Sequence, residues 1–416
     1  MAHLLIIDLP GGNDSDILEA AKRRGDQVTF LTSDLDMYLN QAAIKPYMDA
    51  AYQLIEVKDF AFEAVLAKVL AVHQMLPIEA VLCLIEIRLL DASKLATVLG
   101  THYLNLNSAV LLRDKYSVRR CLAQKGIIQP EFALATTTDE IKSAIHKLGL
   151  PLLIKPSDGY GSQNVVVLQT QLDLDPLISP VEIMLPSRAD YGLGVKANDR
   201  LLIERFLKGS FIGVDTLTVE GVHRFLGINV KKMMAPPSFA IQGGCFTPRN
   251  ETHAAIEKYV FEILDAVGFN SGATHIELML TEQGPRLIEI NPRLVGAKIA
   301  RLVGYALERS IHEDLIDIHL GKWPQGLENI KSHQVAVSRW YTSPVAGTLM
   351  SVTAPHWVDT NVKCVEFLKK EGDRVLPAFE NAERLGYVMV CGQNEQAAIE
   401  LAERYIEDTD IFIEQN

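Results

Sequence analysis

Apolar and polar positions change their period along this chain, and the changes divide it. Across residues 1 to 110, short apolar runs (LLIID, QVTFLTS, AVLCLI) alternate with segments of helical period (DILEAAKRRG, FEAVLAKVLAVHQM, DASKLATVLG). Short, continuously apolar strands are those buried on both faces, so this order predicts a parallel sheet covered by helices. Gly11 and Gly12 follow the first run without GxGxxG spacing, so a dinucleotide site is weakly supported. Residues 111 to 205 predict a helix over LLRDKYSVRRCLAQKG, an extended IIQPEFALA, and a helix over TDEIKSAIHKLG with Thr138 or Asp139 as its N-cap. PLLIKP, NVVVLQ and LLIERFL then read as strands, the first two joined by SDGYGSQ.

Residues 206 to 416 predict a larger lobe. GVDTLTV and HRFLGINV are strands, APPSFAIQGGCFTPR a Pro- and Gly-rich loop, and HAAIEKYVFEILDAVG a helix. Two strand-like runs, IELML and RLIEI, flank the turn-rich TEQGP and predict a hairpin. A helix follows over about 297 to 320, and VAVSRWYTS, RLGYVMVCG and EQAAIELAERYIED end the chain as strand, strand and helix. No internal repeat, low-complexity tract or long linker is present, so the class is α/β, one compact body of several lobes.

Composition narrows the function. The 416 residues carry a net charge of −12, which argues against a nonspecific nucleic-acid binder. No apolar run approaches the roughly 18 to 20 residues a bilayer span needs. MAHLLIIDLPGG, interrupted by Asp8, reads as a first strand rather than a signal peptide. Five scattered cysteines without metal-ligand or CxxC spacing fit a reducing cytoplasm, with Cys245 either a reactive thiol in its glycine-rich segment or, the better reading, a spectator.

The chemistry starts at the hairpin. Its register sets Glu277 opposite Glu289, with Asn291 on the face of Glu289. Like charges directly opposite on paired strands are destabilising, and a divalent cation between them reverses the sign. Glu, Glu and Asn oxygens suit Mg²⁺, which binds few protein ligands plus substrate phosphates. The bland alternative is a solvated hairpin with two incidental acids. Lys155 ends PLLIK, and Ser157, Gly159, Gly161 and Ser162 follow in a loop whose amides and hydroxyls could cradle phosphate. Lys115 gains interest only as its partner. Glu204, an acid inside an apolar strand, is either an adenine-reading carboxylate or half of a Glu–Lys bridge on an exposed face. Arg293 offers a planar fork to phosphate or carboxylate beside the acids, or else caps them. A second substrate could be read by amides at Gly243 and Gly244 or by Arg249, or the segment is a plain loop. Lys231 and Lys232 either serve an acidic ligand or solvate a strand end.

The order Lys115, Lys155, glycine loop, Glu204, Glu277, Glu289, Asn291, Arg293 resembles that of the ATP-grasp superfamily, over nearly the whole chain. The resemblance rests on 114-DKYSVR-119, 154-IKPSDGYGS-162, 204-ERF-206 and 289-EINPR-293 with Glu277. The tail segments 340-WYTSPVAGTL-349, 371-EGDRV-375 and 384-RLGYVMVCG-392 look most like carboxylate–amine ligases that make dipeptides, including L-amino acid ligases and ligases of dipeptide-antibiotic assembly. It implies a Rossmann-like first domain over 1–110 that binds no nucleotide, a small ATP-grasp lobe over 111–205, and a large lobe with the metal site over 206–416. It further implies that Lys115, Lys155, Ser157, Gly159, Gly161 and Ser162 hold ATP phosphates, and that Glu204, Arg205, Phe206 and Leu207 lie at the adenine. Glu277, Glu289 and Asn291 would hold two Mg²⁺ ions, or Mn²⁺ in their place, with Glu289 bridging. Arg293, with Gly243, Gly244 and Gly296, would face the substrate. Where many members carry a ribose-gripping Glu this chain has Phe211, which puts the ribose contacts in doubt. The implied reaction joins two amino acids through an acyl phosphate, in an enzyme whose relatives are commonly homodimers. A bicarbonate-dependent carboxylase and a nucleotide-binding regulator on a retired scaffold are the alternatives.

Overall fold

The structure is a computed structural model that describes residues 1–159, 165–170, 200–234, 241–296, 298–330, 334–379 and 383–415. Strands β1 (His3–Ile7), β2 (Gln27–Thr32), β3 (Gln53–Glu56) and β4 (Ala80–Cys83) form a parallel sheet in the order β3-β2-β1-β4. Successive residues of β1 enter different cores: Leu5 and Ile7 one, Leu4 and Ile6 the other. That two-sided burial is why the run carries no polar alternation. The helices Asp16–Arg24, Phe62–Met75 and Leu89–Leu99 stand where the pattern places them, but β3 was hidden because QLIE is short and partly exposed.

The second lobe holds β5 (Phe132–Ala135), β6 (Leu152–Pro156), β7 (Val166–Leu168) and β8 (Leu201–Arg205), ordered β5-β8-β6-β7 and antiparallel. Helix Thr138–Leu148 covers this sheet, and its N-cap is Thr137, whose side chain accepts from Glu140 N, rather than Thr138 or Asp139. The single helix expected over 111–126 is two, Leu106–Leu112 and Lys115–Gln124. Asp114 breaks it, with extended backbone and a side chain that accepts from Ser117 N, the action of an N-cap.

The third body is an eight-stranded antiparallel sheet. It contains β9 (Ser210–Val219), β10 (Val222–Met233), β11 (Ile241–Pro248), β12 (Gly272–Thr281), β13 (Gly284–Asn291) and β14 (Val335–Tyr341). Beyond β15 (Gly347–Thr353), it is completed by β16 (Val362–Phe367) and, after the two-residue β17 (Arg374–Val375), by β18 (Gly386–Gly392). The order is β13-β12-β9-β10-β11-β14-β18-β16, while β17 and β15 pair with the terminal β19 (Asp410–Glu414) in a small sheet. Two expectations fail here. Most of the Pro- and Gly-rich "loop" is β11, hydrogen-bonded between β10 and β14. The helix over 297–320 is two, Ile299–Leu307 and Ile311–His319, separated by Glu308 in the left-handed region (φ 52°) and by Ser310, which caps the second. These two helices share a core with Leu4 and Ile6 on one side and Ala336 and Trp340 on the other. They wedge the first sheet against the large one. Among the described residues, no helix is long and apolar enough to cross a membrane.

Candidate active site

Glu277 and Glu289 are Cα partners across β12 and β13, with His275 opposite Asn291, as the hairpin pattern predicts. A β-bulge follows at once, between Glu277 and Leu278. Both acids, with Asn291, Arg293 and Gly296, line a cavity of about 230 Å³ that also reaches Gly243, Gly244, Trp340 and Arg384. Neither carboxylate faces the other uncompensated. Lys231 Nζ lies 3.2 Å from Glu277, and Lys115 Nζ lies 2.9 Å from Glu289. Burial pushes the Glu289 carboxyl up, but Lys115, Lys155 and Arg293 outweigh it and hold it below the ordinary value.

The donor set fits Mg²⁺. Two carboxylates and an amide oxygen share one wall, and the bulge re-aims side chains there. Among the described residues no three His, Cys, Asp or Glu side chains could hold a metal by themselves. The rest of an octahedral shell would have to come from water and substrate, the ordinary situation for this ion.

Lys155 and Glu204 behave differently from their expected roles. Glu204 is buried, not on an exposed face. One oxygen accepts from Arg119 Nε at 2.5 Å, and the other lies 2.8 Å from Lys155 Nζ. Lys155 and Arg119 also donate to backbone carbonyls of β13, at Ile288 and at Leu287 and Ile288. The trio therefore pins the second lobe to the metal hairpin. Burial raises the Glu204 pKa, and Arg119 and Lys155 bring it down to about 2. Beyond Glu204, Arg205 turns outward to Glu131 (2.9 Å), and Phe206 exposes its ring.

The glycine loop is reached only in part. Gly159 gives its carbonyl to Lys115 Nζ at 2.5 Å, while Gly161 and Ser162 lie outside the described residues. Ser157 is fully buried, and its hydroxyl donates to Asp114 at 3.1 Å, a contact within the fold. The amides of Gly243 and Gly244 are likewise not a carboxylate nest. Both lie inside the sheet, and Gly244 N donates to Ser338 Oγ. Glycine is needed at 243 because a Cβ would sit 2.1 Å from the Ser338 carbonyl oxygen. Arg249 leaves the cavity altogether and pairs with Glu257 at 2.8 Å. Lys232 pairs with Glu403, whereas Lys231 stays at the site, its ammonium 5.1 Å from the Phe211 ring centroid. Cys245 is buried, which pushes its thiol up to about 11, the state of a spectator.

Arg293 reaches the first domain as well as lining the cavity. Its Nη2 lies 2.7 Å from Glu86 of the first domain, and its Nη1 donates to Leu294 O. Glu86 was not singled out in sequence because it follows β4 in a stretch with no site pattern. Also missed was His275, whose Nδ1 lies 2.9 Å from Asp215 and whose Nε2 lies 3.8 Å from Glu277. Asn229 donates to the second Asp215 oxygen. The signal was present: residues two apart on a strand share a face, so Glu277 pointed to His275.

Residues 148–301 match the ATP-grasp domain family, and residues 339–414 match the L-amino acid ligase C-terminal domain 2. An uncharacterized protein of Sinorhizobium fredii is 26% identical over 71% of the chain and 60% of its own length. An L-arginine-specific L-amino acid ligase of Bacillus subtilis is 24% identical over 84% of the chain and 83% of its own length. The chain thus spans less than two thirds of the first of these relatives. The crystal structure of an L-amino acid ligase from Bacillus licheniformis superposes with a TM-score of 0.79 at 21% identity, covering 100% of this chain and 99% of that one, which establishes the fold.

Proposed function

From the match of residues 148–301 to the ATP-grasp domain and of residues 339–414 to the L-amino acid ligase C-terminal domain, we propose that the chain is an ATP-dependent carboxylate–amine ligase joining two amino acids. One observation carries the reading: Glu277, Glu289, Asn291 and Arg293 converge on one cavity, with Lys115 beside Glu289. The donor carboxylate takes the γ-phosphoryl group of ATP, forming an acyl phosphate and ADP. The amine of the second substrate then attacks the carbonyl carbon, the bond to phosphate breaks, and the amine sheds its proton to give the amide.

Glu277, Glu289 and Asn291 would hold Mg²⁺, two ions in the full reading, and the bound metal supplies positive charge against the β- and γ-phosphates. Lys115 stands at the same carboxylates and can turn to a phosphate oxygen, and Lys155 braces the lobe that carries the loop. Phe206 and the backbone through Leu207, just past the end of β8, would offer a face and polar groups to the adenine. Arg293, oriented by Glu86, would steady the oxyanion formed when the amine adds. Positioning and electrostatics are most of what such a transfer asks of a protein.

The test is a matrix of amino-acid pairs with ATP and Mg²⁺, reading phosphate release and product mass. Phosphate release that needs both partners, with a dipeptide mass, is expected. Full-rate release without any amine would overturn the reading, and release stimulated by bicarbonate alone would favour the carboxylase alternative, to which the ligase-type C-terminal domain lends no support.

A further inference from the structure

A second groove lies outside the catalytic cavity and shares no lining residue with it. It encloses about 550 Å³, inside the roughly 300 to 1,000 Å³ usual for small-molecule sites. One wall is helix Asp16–Arg24 of the first domain. The other is formed by helices Ile299–Leu307 and Ile311–His319, with Lys363 of β16 beside them. Most of its charges are already paired: Arg23 with Glu19 and Glu313, Arg301 with Asp16, and Arg309 with Asp314. Among the described residues, four features are left without such partners. The Glu308 carboxylate is exposed and makes no hydrogen bond or ion pair. Lys363 Nζ donates to the Thr360 carbonyl at 2.9 Å and meets no acid. The backbone amides of Ile311 and His312, the first two of their helix, find no acceptor. The His312 ring, only 8% exposed, makes no hydrogen bond, although a buried polar group without a partner is costly. Burial lowers its pKa, and the charged groups around it, Asp14, Asp16, Lys298 and Arg301, are paired with one another.

We propose that this groove binds a small zwitterion, a free amino acid or a dipeptide, by its two charged ends: the carboxylate at the Ile311 and His312 amides with Lys363, the ammonium at Glu308. A helix N-terminus favours an anion because its first amides point outward unbonded and the helix dipole is positive there. This helix has nine residues, and the acids of its first turn, Glu313 and Asp314, are held by Arg23 and Arg309. The neutral His312 ring gives the ligand a buried hydrogen-bond partner. Unpaired groups of both signs select a ligand that carries both, whereas a simple anion meets Glu308 as a like charge. The groove is also connected to the catalytic cavity. Arg301, Gly304 and Tyr305 line the groove, and Ile299, at the start of the same helix, lines the cavity. An occupant therefore bears on a helix that reaches the catalytic site. The ligand class follows from the groove's own charges and stands apart from the ligase reading.

The test is equilibrium dialysis of the full chain, without nucleotide, against each of the twenty common amino acids and alanylalanine, all radiolabelled. At least one probe is expected to bind wild type, and which one binds tells free amino acid from dipeptide. Its Kd should rise about tenfold in Glu308→Lys and in Lys363→Glu, the scale of one charged contact. Both residues are exposed, so the fold should survive, which circular dichroism checks. The N-acetylated and the amidated form of that probe should each compete about tenfold more weakly, because each lacks one charge. MgADP affinity, which reports on the catalytic cavity, should be the same in both variants as in wild type. Binding of no probe would overturn the proposal. A Kd unchanged in both variants would overturn it by placing the ligand in the catalytic cavity. Inorganic phosphate competing as well as the zwitterion would overturn the choice of ligand. A wild-type dimer that Glu308→Lys dissociates in sedimentation equilibrium, with probe binding unchanged, would give the groove to a second copy of the chain instead.

Discussion

Lys155 Nζ lies 2.8 Å from Glu204 Oε2, inside a cluster where Arg119 takes the other oxygen of the same carboxylate. Two cations and one acid, all buried, leave a net positive charge, and its remaining donors go to the carbonyls of Leu287 and Ile288. The contact is thus a joint between lobes as much as a ligand site. It ties β6, the strand before the glycine loop, to β13, the strand bearing Glu289.

Glu204→Gln leaves Arg119 and Lys155 buried without their counter-charge. We expect a loss of about 3–5 kcal/mol, the usual penalty for breaking a buried pair from one side. The pH dependence has a defined sign. The folded carboxyl sits at about 2 against an ordinary 4.5, so its stabilisation is fully present above pH 4.5 and is lost as pH falls through 2. Urea midpoints of wild type and variant should therefore differ most at neutral pH and converge in acid. A gap that stays constant down to pH 2 would count against the ion cluster as the source.

Glu289→Gln keeps the size of the side chain and removes its charge. Lys115 loses its partner at 2.9 Å, yet both groups are only partly buried, so folding should survive. Turnover should fall by about a hundredfold or more, the scale of losing several kcal/mol of charge stabilisation at a metal. Circular dichroism checks the fold and ADP release the rate. An active, metal-dependent Glu289→Gln enzyme would sink the metal assignment.

A smaller change probes the histidine behind the site. A Cβ on Gly213 would lie 2.4 Å from His275 Cε1. Gly213→Ala must push the imidazole away from Asp215 or toward Glu277. We expect about 1–3 kcal/mol of overpacking and a raised Mg²⁺ requirement for activity. A Mg²⁺ titration compared with wild type decides it. An unchanged titration with normal stability would mean that His275 has no hold on Glu277.

The hairpin was legible because its determinants are local. Strand alternation puts both acids on strand faces, but the two-residue turn that pairs Thr281 with Gly284 would by itself set Glu277 against Ile288, and it is the bulge after Glu277 that makes Glu289 its partner. The boundary errors have a common cause. Asp114 and Ser310 end one helix and cap the next inside segments whose apolar period continues, so the pattern runs on where the backbone does not. The Gly- and Pro-rich segment before residue 249 failed for the opposite reason. Gly243 and Gly244 read as loop, yet both lie in β11, and at Gly243 β14 passes too close for a side chain.

What the chain order determined by itself was the strand bearing each acid and which residue types share a strand face. Periods of 2 and 3.6 are properties of the local backbone, and they survive without knowledge of neighbours. What only the tertiary structure decided was partnership. Lys115 faces Glu289, Lys155 faces Glu204, Glu86 crosses from the first domain to Arg293, and Arg384 lies on Trp340. Each of these pairs joins residues 40 or more positions apart, at contacts set by how sheets and helices pack. The helices Ile299–Leu307 and Ile311–His319 pack between two sheets, and the first of them brings Ile299 to the cavity wall, a placement no motif foretells.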